Sequence, residues 1–193
     1  MCGIVGAVAQ RNVSQILLEG LSRLEYRGYD SAGICTIENN TLNCIKTTGK
    51  VKNLKEAVKE KGCPGSIGIA HTRWATHGIP SEVNAHPHIC DNLALVHNGI
   101  IENFAEIKEQ LIAQGYKFKS QTDTEVLVCL IHYHLQKSSS LLEAFKSALN
   151  EVKGSFGLAL IDKNDPNTLY AARSGSPLII GLGICENFIA SDT

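Results

Sequence analysis

The chain has 193 residues, of which 44% are hydrophobic and 19% are charged, and its formal net charge is -1. This length suits one domain with a sizeable core. The balanced charge, without any polybasic segment, argues against nucleic-acid and membrane-surface binding, and no apolar run approaches the roughly 18 residues that span a bilayer. The apolar start lacks the basic region of a signal peptide, so we expect a cytoplasmic protein.

The seven cysteines are widely spaced, and none of them forms a C-x-x-C pair. An odd number with such spacing argues against a disulfide framework and against a zinc knuckle. We therefore expect most of them to be small buried hydrophobes in a reducing compartment.

The first half of the chain predicts a strand at 4–9, a helix from Val13 that ends before Arg27, a hairpin of strands 31–38 and 41–47, a helix at 51–61, and strands at 66–72 and 92–97. Asn12 and Gln15 are spaced as a capping pair for the first helix. Residues 73–91 lack periodicity, and a loop of this length in a compact domain is usually functional or disordered; here it is rich in residues that bind ligands.

The second half predicts a helix at 102–114, a helix opened by the capping box at 122–125, a helix opened by Ser140 and Glu143 that runs to about 149, and strands at 155–162, 168–172 and 178–181. A strand-like run at 188–193 ends the sequence.

This order of elements differs from the strict alternation of a doubly wound sheet. It favours an α+β fold in which two sheets pack face to face, with the helices outside. We expect residues 2–193 to be one domain cut from a longer protein, because the final strand-like run has no polar tail.

Cys2 stands where a small residue allows an aminopeptidase to remove Met1. Processing would leave a thiol and a free α-amine on one residue, and the pKa of such an amine, about 7.7–8.0, suits a general base near neutral pH. One residue would then supply both nucleophile and base. On position alone, a buried cysteine on the first strand is the favoured alternative.

Six blocks in one order change that interpretation: MCGIVG at 1–6, LEYRGYDSAG at 24–33, HTRWATH at 71–77, NAHPH at 84–88, HNGIIEN at 97–103 and TDTE at 122–125. Together with 173–178, they resemble the class II glutamine amidotransferases over essentially the whole chain. The resemblance implies an N-terminal-nucleophile hydrolase fold, a four-layer αββα sandwich of two antiparallel sheets. It also implies that L-glutamine is hydrolysed to glutamate and ammonia through a thioester on Cys2, without a cofactor.

The resemblance also assigns residues that bind the substrate. Arg73 matches the arginine that holds the α-carboxylate of glutamine, and a guanidinium does so bidentately. Asp123 matches the aspartate that accepts the substrate ammonium, and Thr76 and His77 match positions that line the same pocket. The alternatives are a solvated surface charge for Arg73 and a helix cap for Asp123. Binding is favoured, because Arg73 directly follows a predicted strand and Thr122 already provides a cap.

Asn98 and Gly99 match an oxyanion hole, which is formed by a side-chain amide and a backbone N–H. The alternative is a plain Asn-Gly turn. Trp74, the only tryptophan, matches a residue of the loop that closes over glutamine and gates the passage of ammonia. The alternative for Trp74 is a place in the core.

Arg27, Gly28 and Asp30 belong to a strongly matching block without a defined role. They could seal the pocket near Cys2, and for Gly28 a structural turn is an equal alternative.

The histidines raise the question of a metal. His132 and His134 are two apart on a predicted helix, so their side chains diverge. His86 and His88 could share a face of an extended segment, but no acidic or cysteine partner stands nearby at ligand spacing. We therefore expect no metal site.

Within the family, the block at 24–33 looks like that of members that act on a sugar phosphate. It implies that ammonia passes to a C-terminal synthase domain of the same polypeptide, which converts fructose 6-phosphate into glucosamine 6-phosphate, and that the full-length protein is a homodimer. The alternatives are a class II amidotransferase of the purine or asparagine pathway, a non-catalytic glutamine-binding sensor, and a metal-binding structural module.

Overall fold

The computed structural model describes residues 2–74 and 78–192. In these ranges the chain forms ten strands and five helices. The strands are β1 (Gly3–Ala9), β2 (Ser31–Glu38), β3 (Thr41–Thr48), β4 (Ile67–Arg73), β5 (His88–Cys90), β6 (Leu93–Ile101), β7 (Gly154–Asp162), β8 (Asp165–Ser174), β9 (Ile179–Leu182) and β10 (Glu186–Ala190). The helices are α1 (Ser14–Leu24), α2 (Val51–Lys61), α3 (Phe104–Ala113), α4 (Asp123–Leu135) and α5 (Leu141–Glu151), and the 3-10 turn Glu25–Arg27 follows α1.

The strands form two antiparallel sheets. The larger sheet has the order β3-β2-β4-β1-β10-β9, and the smaller has the order β5-β6-β7-β8. In the larger sheet, β1 lies between β4 and β10, so the strand that follows Cys2 is paired on both sides. Residues 3–9 are thereby held inside the larger sheet.

The two sheets pack face to face through an apolar layer that includes Ile4 and Ile69 from the larger sheet and Val96 from the smaller one. The outer face of the larger sheet packs against α1 and α2, and the outer face of the smaller sheet packs against α3, α4 and α5. The prediction of an α+β sandwich with four αββα layers is confirmed. Because both faces of the central strands are buried, these strands are near-continuous apolar runs rather than alternating ones.

The helix that carries Asp123 begins as its sequence predicts. Thr122 is extended, and its hydroxyl accepts a hydrogen bond from the Glu125 N–H at 3.3 Å. The Glu125 carboxylate does not complete a reciprocal box; it accepts the backbone N–H groups of Lys119 and Ser120 instead. The preceding loop is therefore fixed to the first turn of α4.

The predicted cap of α1 is wrong, and that of α5 is right in position only. The N-cap of α1 is Val13 rather than Asn12, and neither Val13 nor Ser140, the N-cap of α5, makes a side-chain cap hydrogen bond. Asn12 instead accepts the Ser14 N–H at 3.0 Å.

The predicted loop at 73–91 contains a short strand, β5, which pairs with β6. The strand predicted to end at His97 continues to Ile101, because β6 pairs with β7 along its whole length. Among the described helices, none has the length and apolar character needed to cross a membrane.

Candidate active site

A cavity of about 370 Å³ opens near the start of β1, the end of β4, the later part of β6 and the first turn of α4. Its lining residues are Cys2, Arg27, Arg73, Trp74, His86, His97, Asn98, Gly99, Ile100, Thr122, Asp123, Thr124, Ser155, Ser176 and Pro177. Six predicted site residues are thus brought together from four separate segments of the chain. The predicted positions Thr76 and His77 lie outside the described residues.

Cys2 is half-buried, and its sulfur faces the backbone just beyond the end of β4. The Trp74 N–H donates to Cys2 Sγ at 3.2 Å, and Sγ lies 3.5 Å from the Trp74 carbonyl oxygen. Burial raises the pKa of the Cys2 thiol above its ordinary value, although the Trp74 N–H acts in the opposite direction. The resting group is therefore the protonated thiol.

The Asn98 amide is fixed at both ends. Its Nδ2 donates to the Cys2 carbonyl oxygen at 3.1 Å, and its Oδ1 lies 2.9 Å from His71 Nε2. Gly99 has φ +126°, and a Cβ there would lie 2.0 Å from the Ser155 carbonyl oxygen. Both residues lie inside β6, so the interpretation of Asn-Gly as a turn is wrong.

Arg73 is the last residue of β4 and only 3% exposed, so the interpretation as a solvated surface charge is wrong. Its Nη2 donates to the Gly78 carbonyl at 3.1 Å, and its Nη1 lies 3.5 Å from Asp30 Oδ1. The Asp30 N–H also donates to the Arg73 carbonyl at 2.6 Å. Asp30, whose role the sequence left open, is therefore a partner that orients this guanidinium.

Asp123 is the first residue of α4 and is 4% exposed. Its Oδ2 accepts the Ile101 N–H at 2.9 Å, which ties the carboxylate to the end of β6. Because the helix N-terminus stabilises an anion, this is a favourable place for a buried carboxylate. Thr122 provides the side-chain cap, so the alternative of a capping role for Asp123 is wrong.

Trp74 lines the cavity and is 55% exposed, so the alternative of a core tryptophan is wrong. Its ring lies against Gly28, where φ is +101° and an added Cβ would come within 2.2 Å of the ring. Gly28 therefore serves both the turn and the close approach of Trp74. Beside it, Arg27 Nη1 donates to the Ser191 carbonyl at 3.0 Å.

Three buried histidines lie at the cavity, and two of them, His86 and His97, line it. From the sequence, the histidines were considered only as possible metal ligands. The Thr124 hydroxyl lies 2.7 Å from His86 Nε2 and 3.1 Å from His97 Nδ1. His88 Nε2 lies 3.0 Å from the Thr122 hydroxyl. These contacts join the first turn of α4, and its cap Thr122, to β5 and β6 of the smaller sheet and to the loop before β5.

Burial keeps the rings of His71, His86 and His88 neutral. It lowers the pKa of His71 to about 3, and it lowers the pKa of His86 and of His88 well below the ordinary value. Within the described residues, no three or more histidine, cysteine or acidic side chains are grouped so as to hold a metal ion. His86, His97 and Thr124 all stand in the sequence blocks singled out above. Their contacts join residues that are 27 to 38 positions apart, so no local sequence pattern predicts them.

Solved structures share this fold. The chain is similar to a glutamine phosphoribosylpyrophosphate amidotransferase from B. subtilis, with 29% identity and a TM-score of 0.83 over 98% of this chain and 42% of that chain. A second structure, described as the allosteric regulatory enzyme of purine biosynthesis, has 30% identity and a TM-score of 0.84 over the same shares. The two-sheet sandwich with a cysteine-lined pocket is thus an amidotransferase fold.

A family model described as a glutamine amidotransferase domain matches residues 71–191. This match covers more than half of the chain, and the chain belongs to the glutamine amidotransferase domain family.

The chain is also similar to curated proteins along its whole length. Over all of its 193 residues, the chain is 59% identical to a glutamine–fructose-6-phosphate aminotransferase [isomerizing] from Haemophilus influenzae and 55% identical to the one from Escherichia coli K12. It spans 32% of the length of each of these relatives. The chain therefore matches a part of longer polypeptides.

Proposed function

We propose that this domain hydrolyses L-glutamine to glutamate and ammonia, with the Cys2 thiol as nucleophile. The observation that carries the proposal is that one cavity holds the Cys2 sulfur together with a buried cation, Arg73, and a buried anion, Asp123. An α-amino acid carries the two complementary charges. Its carboxylate would pair with Arg73 and its ammonium with Asp123, which leaves the side-chain amide to reach Cys2.

The chemistry requires a base, because burial raises the pKa of the Cys2 thiol. The α-amine of Cys2 supplies it once Met1 has been removed, through an intervening water. The sulfur attacks the amide carbon, the C–N bond breaks, and the departing nitrogen takes a proton and leaves as ammonia. Water then attacks the γ-glutamyl thioester, releases glutamate and restores the thiol.

Asn98 and Gly99 would stabilise the negative charge that forms on the former amide oxygen during both attacks. The Asn98 amide already faces Cys2, and its Nδ2 lies 3.1 Å from the Cys2 carbonyl. Two fixed donors in a partly buried site act without reorganisation when the charge develops.

Trp74 would close the cavity and keep ammonia from bulk water, where it would be protonated. Its exposed ring at the cavity mouth, seated on Gly28, suits a movable cover. The 32% span of the curated relatives supports a C-terminal synthase domain as the receiver of ammonia. That domain would convert fructose 6-phosphate into glucosamine 6-phosphate, in a cytoplasmic homodimer.

The test is Cys2→Ala in the full-length protein, with glutamate release and glutamine binding measured separately. We expect glutamate release to be abolished, while binding, measured by calorimetry, is retained through Arg73 and Asp123. The matched thiol control is Cys185→Ala, at an exposed cysteine outside the cavity, which should keep full activity. Glutamate release by Cys2→Ala would refute the nucleophile, and a wild type that binds glutamine without hydrolysing it would establish the sensor alternative.

Two further measurements test the identity of the base and of the substrate that accepts the ammonia. Intact-mass analysis should show a mature chain that begins at Cys2, and full activity with Met1 retained would refute the α-amine as base. Glutamine turnover that depends on fructose 6-phosphate would support the sugar-phosphate assignment, whereas dependence on phosphoribosyl pyrophosphate or on aspartate would replace it with the purine or the asparagine alternative.

A further inference from the structure

We infer that His71 is a positioning residue for the oxyanion hole: its Nε2–H fixes the Asn98 amide so that the NH2 group faces Cys2. This inference rests on the proposed function. His71 is not among the residues that line the cavity, and it is completely buried on β4 behind Asn98.

The tautomer of His71 is determined by a backbone group. Nε2 lies 3.0 Å from the His97 carbonyl oxygen, which can only accept a hydrogen bond. Nε2 must therefore carry the proton. Nδ1 is then unprotonated, and it has no hydrogen-bond partner among residues 2–74 and 78–192. Burial lowers the pKa of His71 to about 3, so the ring remains neutral at physiological pH.

The tautomer in turn determines the orientation of Asn98. The same Nε2–H lies 2.9 Å from the Asn98 side-chain oxygen, and a flipped amide would place NH2 against an N–H donor. The correct orientation directs Nδ2 towards the Cys2 carbonyl at 3.1 Å. The second hydrogen of Nδ2 remains available for the oxygen of the tetrahedral intermediate.

A chain of three groups therefore controls the oxyanion donor: the His97 carbonyl, the His71 ring and the Asn98 amide. The interaction with Asn98 matters most when charge develops on the substrate oxygen. Removing His71 should consequently affect the chemical step more than the binding of glutamine, whose charged groups face Arg73 and Asp123.

The test compares His71→Leu with His71→Gln in the full-length protein. Leucine removes the donor, and we expect kcat for glutamate release to fall about 10- to 100-fold with KM within about twofold, less than the loss of a whole oxyanion donor. The Gln Nε2 can replace the donor, so His71→Gln should recover most of kcat. Affinity for an aldehyde analogue of glutamine, which forms a tetrahedral adduct with the thiol, should fall in parallel with kcat, while affinity for glutamate should not.

The matched control is Ile69→Ala, on the same strand and the same face and also completely buried, but with an apolar side chain that cannot donate a hydrogen bond to Asn98. It should lower the melting temperature while kcat per folded molecule is retained. Three results would overturn the inference: equal losses of kcat in Ile69→Ala and His71→Leu, a kcat of His71→Gln as low as that of His71→Leu, or a change confined to KM.

The tautomer has an independent test. The imidazole 15N signals of His71 should show protonated Nε2 and unprotonated Nδ1 at neutral pH, and the opposite tautomer would overturn the inference without any assay. An active wild type with an unaffected His71→Leu variant would refute only the role of His71. A wild type that releases no glutamate would refute the proposed function and, with it, this role.

Discussion

Two walls of the cavity differ in burial and in the number of polar contacts that hold them. The inner wall consists of His97, Asn98, Asp123 and Thr124, and each of these side chains is at least 92% buried and hydrogen-bonded to a neighbouring strand or helix. The outer wall is Trp74, which is 55% exposed, together with Gly28, on which the Trp74 ring lies.

The difference separates two tasks. Donors and charges that act on a transition state must be oriented before the reaction, which requires a buried and fully connected network. A wall that admits the substrate must be able to move, and exposed loop residues held by few contacts do so most easily. Substitutions in the inner wall should therefore change rates, and substitutions in the outer wall should change access.

The largest effect is expected for Asn98→Ala in the inner wall. Loss of the amide donor should lower kcat for glutamine hydrolysis about 10²- to 10³-fold, with little change in KM. Steady-state kinetics of glutamate release measures both. Asn92→Ala is the control, because Asn92 is an equally buried asparagine that donates to Asp162 outside the cavity. If both variants lost kcat alike, general destabilisation would explain the result.

The next effect is expected for Arg73→Lys. Lysine keeps the charge but loses the planar fork, so a bidentate hold on the substrate carboxylate is no longer possible. We expect KM for glutamine to rise about 10- to 100-fold, which corresponds to roughly 1.4 to 2.8 kcal/mol. Arg11→Lys, in an exposed pair with Glu186, should leave KM unchanged. A KM for Arg73→Lys near the wild-type value would exclude Arg73 from substrate binding.

A smaller effect is expected on the pH dependence of the free energy of unfolding. Burial lowers the pKa of His71, His86 and His88 in the folded state, so the folded protein binds fewer protons than the unfolded chain below about pH 6.5. The stability from these neutral rings is fully present above that pH and is lost as the pH falls towards the folded-state pKa values. Each ring should contribute a slope of up to about 1.4 kcal/mol per pH unit.

Urea unfolding of the wild type and of His88→Gln between pH 4 and pH 7 tests this expectation. The substitution should reduce the slope of the unfolding free energy against pH by the amount that corresponds to about one bound proton. Ile89→Thr, at the neighbouring position of β5, carries no titratable group and should leave the slope unchanged. An unchanged slope in His88→Gln would mean that His88 binds its proton equally in both states.

The smallest effect on hydrolysis is expected for Gly28→Ala in the outer wall. The new Cβ would meet the Trp74 ring at 2.2 Å, and the backbone has φ +101°. The ring should move outwards, and the fluorescence of this single tryptophan should shift to longer wavelength. Gly115→Ala is the control, because its φ is +90° and no atom lies within 4 Å of the added Cβ.

Both glycine variants should lose about 1–2 kcal/mol of stability from the left-handed backbone. Only Gly28→Ala should change the emission. An identical spectrum in the two variants would contradict the seating of Trp74 on Gly28.

The sequence predicted what is encoded locally. The start of α4 follows from Thr122 and Glu125, because a cap is a contact between residues three apart. The strand runs of β1 and β4 follow from continuous apolar residues. The order of elements was sufficient to predict two facing sheets.

Local rules failed where distant pairing decides. Asn98-Gly99 has the composition of a turn, yet pairing with β7 keeps both residues in a strand. The roles of His71 and Asp30 could not be predicted, because their partners Asn98 and Arg73 lie 27 and 43 residues away. Such contacts exist only after the sheets have formed, and no spacing in the chain records them.

The order in which the chain is made gives the Ser191–Ile4 contact a further consequence. The Ser191 N–H donates to the Ile4 carbonyl at 3.0 Å, and the Ile4 N–H donates to the Ser191 hydroxyl at 2.9 Å. During synthesis on the ribosome these bonds cannot form until residue 191 has been added, about 10 to 40 s after residue 4. Through that interval the first residues lack these two bonds, so a peptidase that removes Met1, as the proposed function requires, would have time to act before β1 is fully held.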